Sequence, residues 1–455
     1  MNGQRIAMAI IISLAAILLF AGCGGIGSDA NNRLDADSAA FVQNGDSDEF
    51  VIRVGAWFID ERSVMAEFKR NIESAYKKLY PKARIQWEVT LGENYWNKLQ
   101  TELASDTAPD VIFNQHFMSL TESGYLADLS AEPWAERMTP SVKDYMTYRS
   151  VDGKYGQYDG KVFAASMGLG VRGYWYNKDL FRRLGLQAPS TLDELIEACE
   201  TIKRAGVIPL AVGFKDGWTV GMHFNNLLQS IGYGSDSRYG RGLYEGTKRI
   251  DGPEATAVMR FFQTLKERQY INKNAMTIDW KQAAKLFTTG EAAIIMQGPW
   301  MPGTAEDSFD EGDKRFAVGY FPVADENGYF DLLQFSDQYV SVNAHTLLMR
   351  QAKDLVSVIL SEEVYGPFCD GNGYIPAFEG MKPTFSNPVM EEVMAYAERS
   401  DSRNRWELYV STPVLDALLA EVTRIVSGVE FRPADLKEVQ RKLEETRAYI
   451  SVPDE

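Results

Sequence analysis

The chain has 455 residues, 45% of them hydrophobic, and a formal net charge of −16, which is room for two or three domains at roughly 150 residues each. An acidic balance without a cluster of Lys and Arg excludes a polyanion-binding protein, since phosphate neutralisation needs such clusters, and no nucleic-acid partner is expected. Nine Trp and twenty-two Tyr leave rings free for surface work.

Arg5 precedes an apolar run from Ile6 to Phe20. The run is shorter than the ~20 residues that span hydrocarbon as a settled helix and suits the h-region of a signal peptide. It ends in LFAGCGG, where Leu19, Ala21, Gly22 and Cys23 resemble the Leu-x-[Ala/Ser]-[Gly/Ala]-Cys pattern of bacterial lipoprotein signals. That resemblance implies a cleaved segment 1–22 and a lipid on the thiol of Cys23. Residues 23–49 are small, polar and acidic, which reads as a flexible tether.

Phe50 to Phe58 (FVIRVGAWF) has the β-branched and aromatic content of a strand. Ser63 reads as the N-cap of a helix with the apolar stripe Phe68, Ile72, Tyr76, Leu79, stopped by Pro81. Ala83 to Leu91 is a second strand, a Leu-rich helix follows, and PDVIFNQ is a short buried third. This β-α-β-α-β rhythm predicts a parallel sheet covered by helices. Ligands of such sheets bind at the carboxyl ends of the strands, which singles out Trp57, Asp60 and Glu61 in one loop and Asn114 and Gln115 in another. Further on, a helix over Lys178 to Leu184 is capped by Gly185, and a Pro-Ser-Thr sequence starts the next. Ala292 to Met296 is a small apolar strand running into a Gly-Pro turn that presents Trp300. Strands are expected over 316–323 and 338–343, then helices, the last an amphipathic segment around Leu436 to Ile450.

Several motifs fail on context. Gly168, Gly170 and Gly173 spell G-x-G-x-x-G, but strand-like GYWYN follows where a dinucleotide site needs a helix; close backbone approach beside a cleft is the better reading. His116, His223 and His345 lie far apart in sequence and no local pattern supports a metal or a triad. Cys199 falls on the apolar face of its helix, and Cys199 and Cys369 lack CxxC spacing; whether they pair is left open. No cofactor or metal is expected.

Six segments, in order, resemble the extracellular solute-binding proteins of ABC importers, specifically those that bind sugars and oligosaccharides. They are the lipid-signal end, PDVIFNQHFMSLTESGYLADLS, YDGKVFAAS with YWYNKDLFRRLGLQAPSTLDEL, LFTTGEAAIIMQGPW, VSVNAHT and GYIPAF. Ser166 and Leu192 depart from the Pro and Trp usual at those places.

The resemblance implies an α/β, two-lobe, periplasmic-binding-protein-like fold with several hinge crossings. The lobes are expected as 50–165 with 296–335, and 166–295 with 336–455. It implies a carbohydrate ligand, ABC permease subunits as partners, a membrane attachment through the lipid, a monomer, and binding without chemistry. In that setting Gly298 keeps the backbone close to the ligand and Trp300 offers a ring face to a pyranose. Trp218 and Asp337 join Trp57, Asp60, Glu61, Asn114 and Gln115 as candidates, with Arg172 beside the first crossing. Trp87, Trp96 and Trp280 are expected in cores. The competing readings are a non-sugar ligand, a surface carbohydrate-active enzyme with paired carboxylates, and a scaffold.

Overall fold

The computed structural model describes residues 49–92, 94–150, 153–330, 332, 336, 338–399 and 411–447. The expected signal segment, Cys23, the tether up to residue 48 and Asp337 lie outside them.

Two sheets organise the described chain. The first has the order β2-β1-β3-β9-β4, with β1 Val51–Ala56, β2 Arg84–Val89, β3 Val111–Asn114, β4 Ala165–Ser166 and β9 Tyr339–Val342. β1 runs parallel to β2 and β3, whereas β9 is antiparallel to β3 and β4. The second has the order β6-β7-β5-β8, with β5 Gly173–Asn177, β6 Ile208–Ala211, β7 Ala292–Gln297 and β8 Val318–Phe321. These are the two lobes.

β7 reads AAIIMQ and is buried along its whole length, because helices cover both faces of its sheet. Ile294 and Met296 join Tyr174 and Tyr176 in one core, while Ile295 joins Trp175 on the other face. The two-residue period of the strands sorts them. The first lobe has its own core, where Ile52, Val54, Phe113 and Val340 meet Phe68, Leu355, Tyr365 and Phe368.

Local signals settle most helices. Asn177 caps Lys178–Leu184 by accepting from the Leu180 N–H at 2.8 Å, and Gly185 ends it at φ +71°, a conformation that costs glycine little. Thr191 caps Leu192–Arg204, which buries Leu195, Cys199 and Ile202. The first helix, Ser63–Leu79, departs from expectation. Its cap position is Arg62, Ser63 is its first helical residue, and Leu79 is exposed while Met65 is buried instead.

The expected lobe boundaries need correcting. β8 hydrogen-bonds to β5 in the second sheet, and β9 hydrogen-bonds to β3 in the first, so 296–321 belongs with the second lobe and 339–378 with the first. The chain then returns: Val389–Ala397, Thr412–Val426 and Lys437–Thr446 pack on the second. An apolar strand suits either sheet by pattern, and only hydrogen-bond partners decide. Crossings therefore fall at 167–172, between Leu332, which still packs in a second-lobe core, and Gln338 before β9, and at 379–388. Gly170 lies in the first, where a Cβ would sit 2.7 Å from Pro299 Cγ and 2.9 Å from Tyr374 Cε1.

Cys199 belongs to a second-lobe core and Cys369 to the first-lobe core, and both thiols are free. The open question of their pairing is thus answered in the negative.

Candidate ligand-binding site

Three tryptophans of the second lobe form a triangle. Ring centroids of Trp218 and Trp300 are 6.0 Å apart, Trp218 and Trp280 6.3 Å, and Trp280 and Trp300 6.4 Å, all edge to face. Each stands where a helix begins. Trp218 is the second residue of Gly217–Ser235, Trp280 the first of Trp280–Thr288, and Trp300 the cap of Met301–Asp310. A side chain in a first turn leans back beyond the end of its helix, so three helix starts brought together present three rings to one place. Trp218 is 39% exposed, while the Trp300 Nε1–H is buried without a partner among the described residues.

Gly298, expected to keep the backbone close to a ligand, meets the next ring: a Cβ there would lie 2.3 Å from Trp300 Cζ3, so the missing side chain makes room for the indole that follows. Trp280, expected in a core, does pack against the second-lobe core around Trp175 and Phe287, and it also belongs to the trio.

Polar groups surround the rings. Asp216, the residue before Gly217–Ser235, accepts the Trp280 N–H at 2.8 Å on Oδ2; burial first, and the Asp279 charge with it, raise its carboxyl above the ordinary range. Lys281 Nζ lies 6.0 Å from the Trp280 ring centroid. It also reaches Glu61 Oε2 at 3.0 Å and Asp60 Oδ2 at 3.4 Å. The other oxygen of Asp60 takes Arg62 Nε–H at 3.0 Å. Both oxygens of Asp60 are thus engaged within the protein.

The remaining first-lobe candidates divide. Trp57 stacks in a separate group, 4.9 Å from Trp96, which in turn meets His116 at 4.9 Å. Burial lowers the pKa of His116. Asn114 is fully buried; its Nδ2 donates to Ser341 Oγ at 3.0 Å and its Oδ1 has no partner among the described residues. Gln115 beside it is half-buried. The Arg172 carbonyl accepts from Tyr320 Oη–H at 3.0 Å.

Two further acceptors escaped the sequence. Gln297 Oε1, at the end of β7, and Gln338 Oε1, just before β9, are buried and unpartnered among the described residues. A buried oxygen without a donor costs ~1–3 kcal/mol and is a place for a hydroxyl. The sequence did contain a signal for Trp280: Asp279 and Gln282 form a capping box, each side chain bonding the other's backbone N–H. D-x-x-Q marks a helix start, and hence an exposed first turn. Among the described residues no three His, Cys, Asp or Glu gather closely enough to hold a metal.

Two sheet-centred lobes joined by repeated crossings, with aromatic and polar groups beside the place where they meet, are the architecture of a solute-binding protein. The chain belongs to the bacterial extracellular solute-binding protein family, whose model matches residues 59–365. It is 22% identical to a multiple sugar-binding protein of Streptococcus mutans, over 73% of this chain and 77% of that one. It is 24% identical to an uncharacterized ABC transporter extracellular-binding protein of Pyrococcus horikoshii, over 56% of this chain, and the match spans 55% of that protein's length. A chitin oligosaccharide binding protein superposes with a TM-score of 0.71 at 20% identity, covering 86% of this chain and 98% of the other. Among the described residues no helix is long and apolar enough to cross a membrane.

Proposed function

We propose that the chain is the lipid-anchored substrate-binding component of an ABC transporter. It captures a carbohydrate, an oligosaccharide, between its lobes and delivers it to a membrane permease. The observation that carries this reading is the trio of Trp218, Trp280 and Trp300. A pyranose has an apolar C–H face that suits aromatic rings and a belt of hydroxyls that needs donors and acceptors. Among the described residues, Asn114 Oδ1, Gln297 Oε1 and Gln338 Oε1 are acceptors without donors, and Trp300 Nε1–H is a donor without an acceptor. Three helix N-termini near the rings favour electron-rich oxygens. The names of the sugar-binding relative and of the structural neighbour support the same ligand class.

The mechanism is capture without bond making. Closure removes water, and each satisfied hydroxyl adds ~0.5–1.5 kcal/mol net. Selectivity comes from the penalty of leaving buried amides unpaired when the wrong sugar enters.

The test is titration of the purified protein by intrinsic tryptophan fluorescence and calorimetry against raffinose, stachyose, diacetylchitobiose, xylo-oligosaccharides and the corresponding monosaccharides. A saturable response to one oligosaccharide is expected. Trp300→Ala should weaken it by roughly 1–3 kcal/mol, on the order of ten- to a hundred-fold in Kd, with the melting transition retained. Silence across the panel would shift the ligand to another class, and release of smaller sugars would make the protein an enzyme.

A further inference from the structure

Besides the packing of the second-lobe helix Met301–Asp310 on the first-lobe helix Glu362–Asn372, where a Cβ on Gly303 would lie 2.6 Å from Gly371 O, the lobes are joined by side chains that reach from one to the other. Lys281, on the second-lobe helix Trp280–Thr288, contacts Glu61 Oε2 at 3.0 Å and Asp60 Oδ2 at 3.4 Å in the loop that follows β1. Asp307, on the second-lobe helix Met301–Asp310, accepts from Ser63 Oγ–H at 2.6 Å on Oδ1 and from Ser63 N–H at 3.2 Å on Oδ2. Ser63 opens the first-lobe helix Ser63–Leu79, which has no acid in its first turn and no side-chain cap of its own. Asp60, of the same lobe, takes the N–H of the cap residue Arg62 at 3.2 Å, but the carboxylate on the N–H of Ser63 comes from the opposite lobe.

We infer that Lys281 and Asp307 form an interlobe clasp that sets the ratio of closed to open protein before any ligand arrives. Both contacts join groups of the protein itself, so they favour the arrangement in which the lobes meet, whatever the cleft holds. Lys281 is a positioning residue: the ammonium that ties the lobes also borders the Trp280 ring, and breaking its ion pairs uncovers the tryptophan trio. The two halves of the clasp differ in character. Glu61 is 84% exposed at its side chain and Asp60 5%, so salt screens the Glu61 arm more than the Asp60 arm. Arg62 also holds Asp60, from the same lobe, so losing Lys281 leaves Asp60 paired and the first lobe intact.

The inference is tested without a ligand, and so separately from the carbohydrate reading. Spin labels are introduced in the full chain by K82C and K266C, two exposed positions on opposite lobes, and the distance distribution is measured by pulsed electron resonance. K281M should move population to longer distances, lowering the closed-to-open ratio about two- to five-fold, while K281R keeps the wild-type distribution. E61Q should shift it in the same direction by less, and the K281M/E61Q double variant no further than K281M alone, because the two share one interaction. D307N should open the protein independently, and 1 M salt should act like E61Q. A wild-type distribution in both K281M and D307N, or full additivity of K281M and E61Q, would overturn the clasp. Melting curves on each variant separate opening from unfolding.

Discussion

Trp300 and Gly298 act as one unit. The indole lies over a backbone that has no side chain to displace it, with a hypothetical Cβ only 2.3 Å from the ring. Overpacking of this kind costs ~1–3 kcal/mol. Gly298→Ala is therefore expected to push Trp300 out of the trio and to weaken binding of the panel oligosaccharide nearly as much as Trp300→Ala, although every aromatic ring is still present; calorimetric titration of the two variants side by side checks this. His223 makes a different argument at the same scale. It is buried against Phe214 with a ring centroid separation of 5.4 Å, and burial pushes its pKa down from 6.5 to about 3. Between those values the unfolded chain binds a proton that the folded chain refuses. Stability therefore falls as the pH drops below 6.5, by at most ~1.4 kcal/mol per pH unit until the folded group titrates. His223→Gln should flatten that part of the acid limb in thermal melts recorded from pH 7 to pH 4.

Helix starts are the elements that build the site. Gly217–Ser235, Trp280–Thr288 and Met301–Asp310 each bring a tryptophan at or beside the first turn. Their exposure follows from cap geometry rather than from composition. The helix Trp280–Thr288 shows the dependence most directly, because the Asp279–Gln282 capping box holds Trp280 and Lys281 in place. Asp279→Ala should cost ~1 kcal/mol in stability, read as a lower denaturation midpoint. It should also weaken oligosaccharide binding, because the frayed turn carries a ring of the trio. A Gln282→Ala variant, which removes only one of the two reciprocal bonds, should do less of both. The strands contribute differently. β7 is apolar throughout because both faces are covered, and its one polar residue, Gln297, comes at the end where the sheet opens toward the other lobe.

At the scale of the whole molecule, the proposed closure and the proposed attachment are separable properties. The clasp inferred above ties closure to contacts such as Lys281 with Glu61. The proposed attachment is through Cys23, where the sequence resembles a lipid-signal pattern. A single acyl chain holds weakly and two or more hold stably. Cys23→Ser is accordingly expected to move the protein from the membrane fraction to the soluble fraction of fractionated cells and to abolish incorporation of labelled palmitate, with ligand affinity unchanged.

Much was legible in the sequence because it is locally encoded. The β-branched and aromatic content of FVIRVGAWF, the apolar run AAIIM, the Asn177 cap, the Gly185 stop and the Thr191 start all depend on residues a few positions apart, and the structure has each of those elements within a residue or two. The two-lobe α/β architecture was legible through the ordered set of segments from PDVIFNQ to GYIPAF. The lobe boundaries were not, because hydrogen-bond partners far apart in sequence assign β8 and β9 to their sheets. Trp280 packs against a core as expected, but its place in the trio comes from the meeting of three helix ends, which no window of sequence contains. Asp60 and Glu61 are drawn to Lys281 across more than two hundred residues, and Gly298 makes room for the ring of Trp300. Local chemistry thus determined the elements and the kind of protein, whereas long-range contacts, which chain order does not encode, decided which side chains face one another.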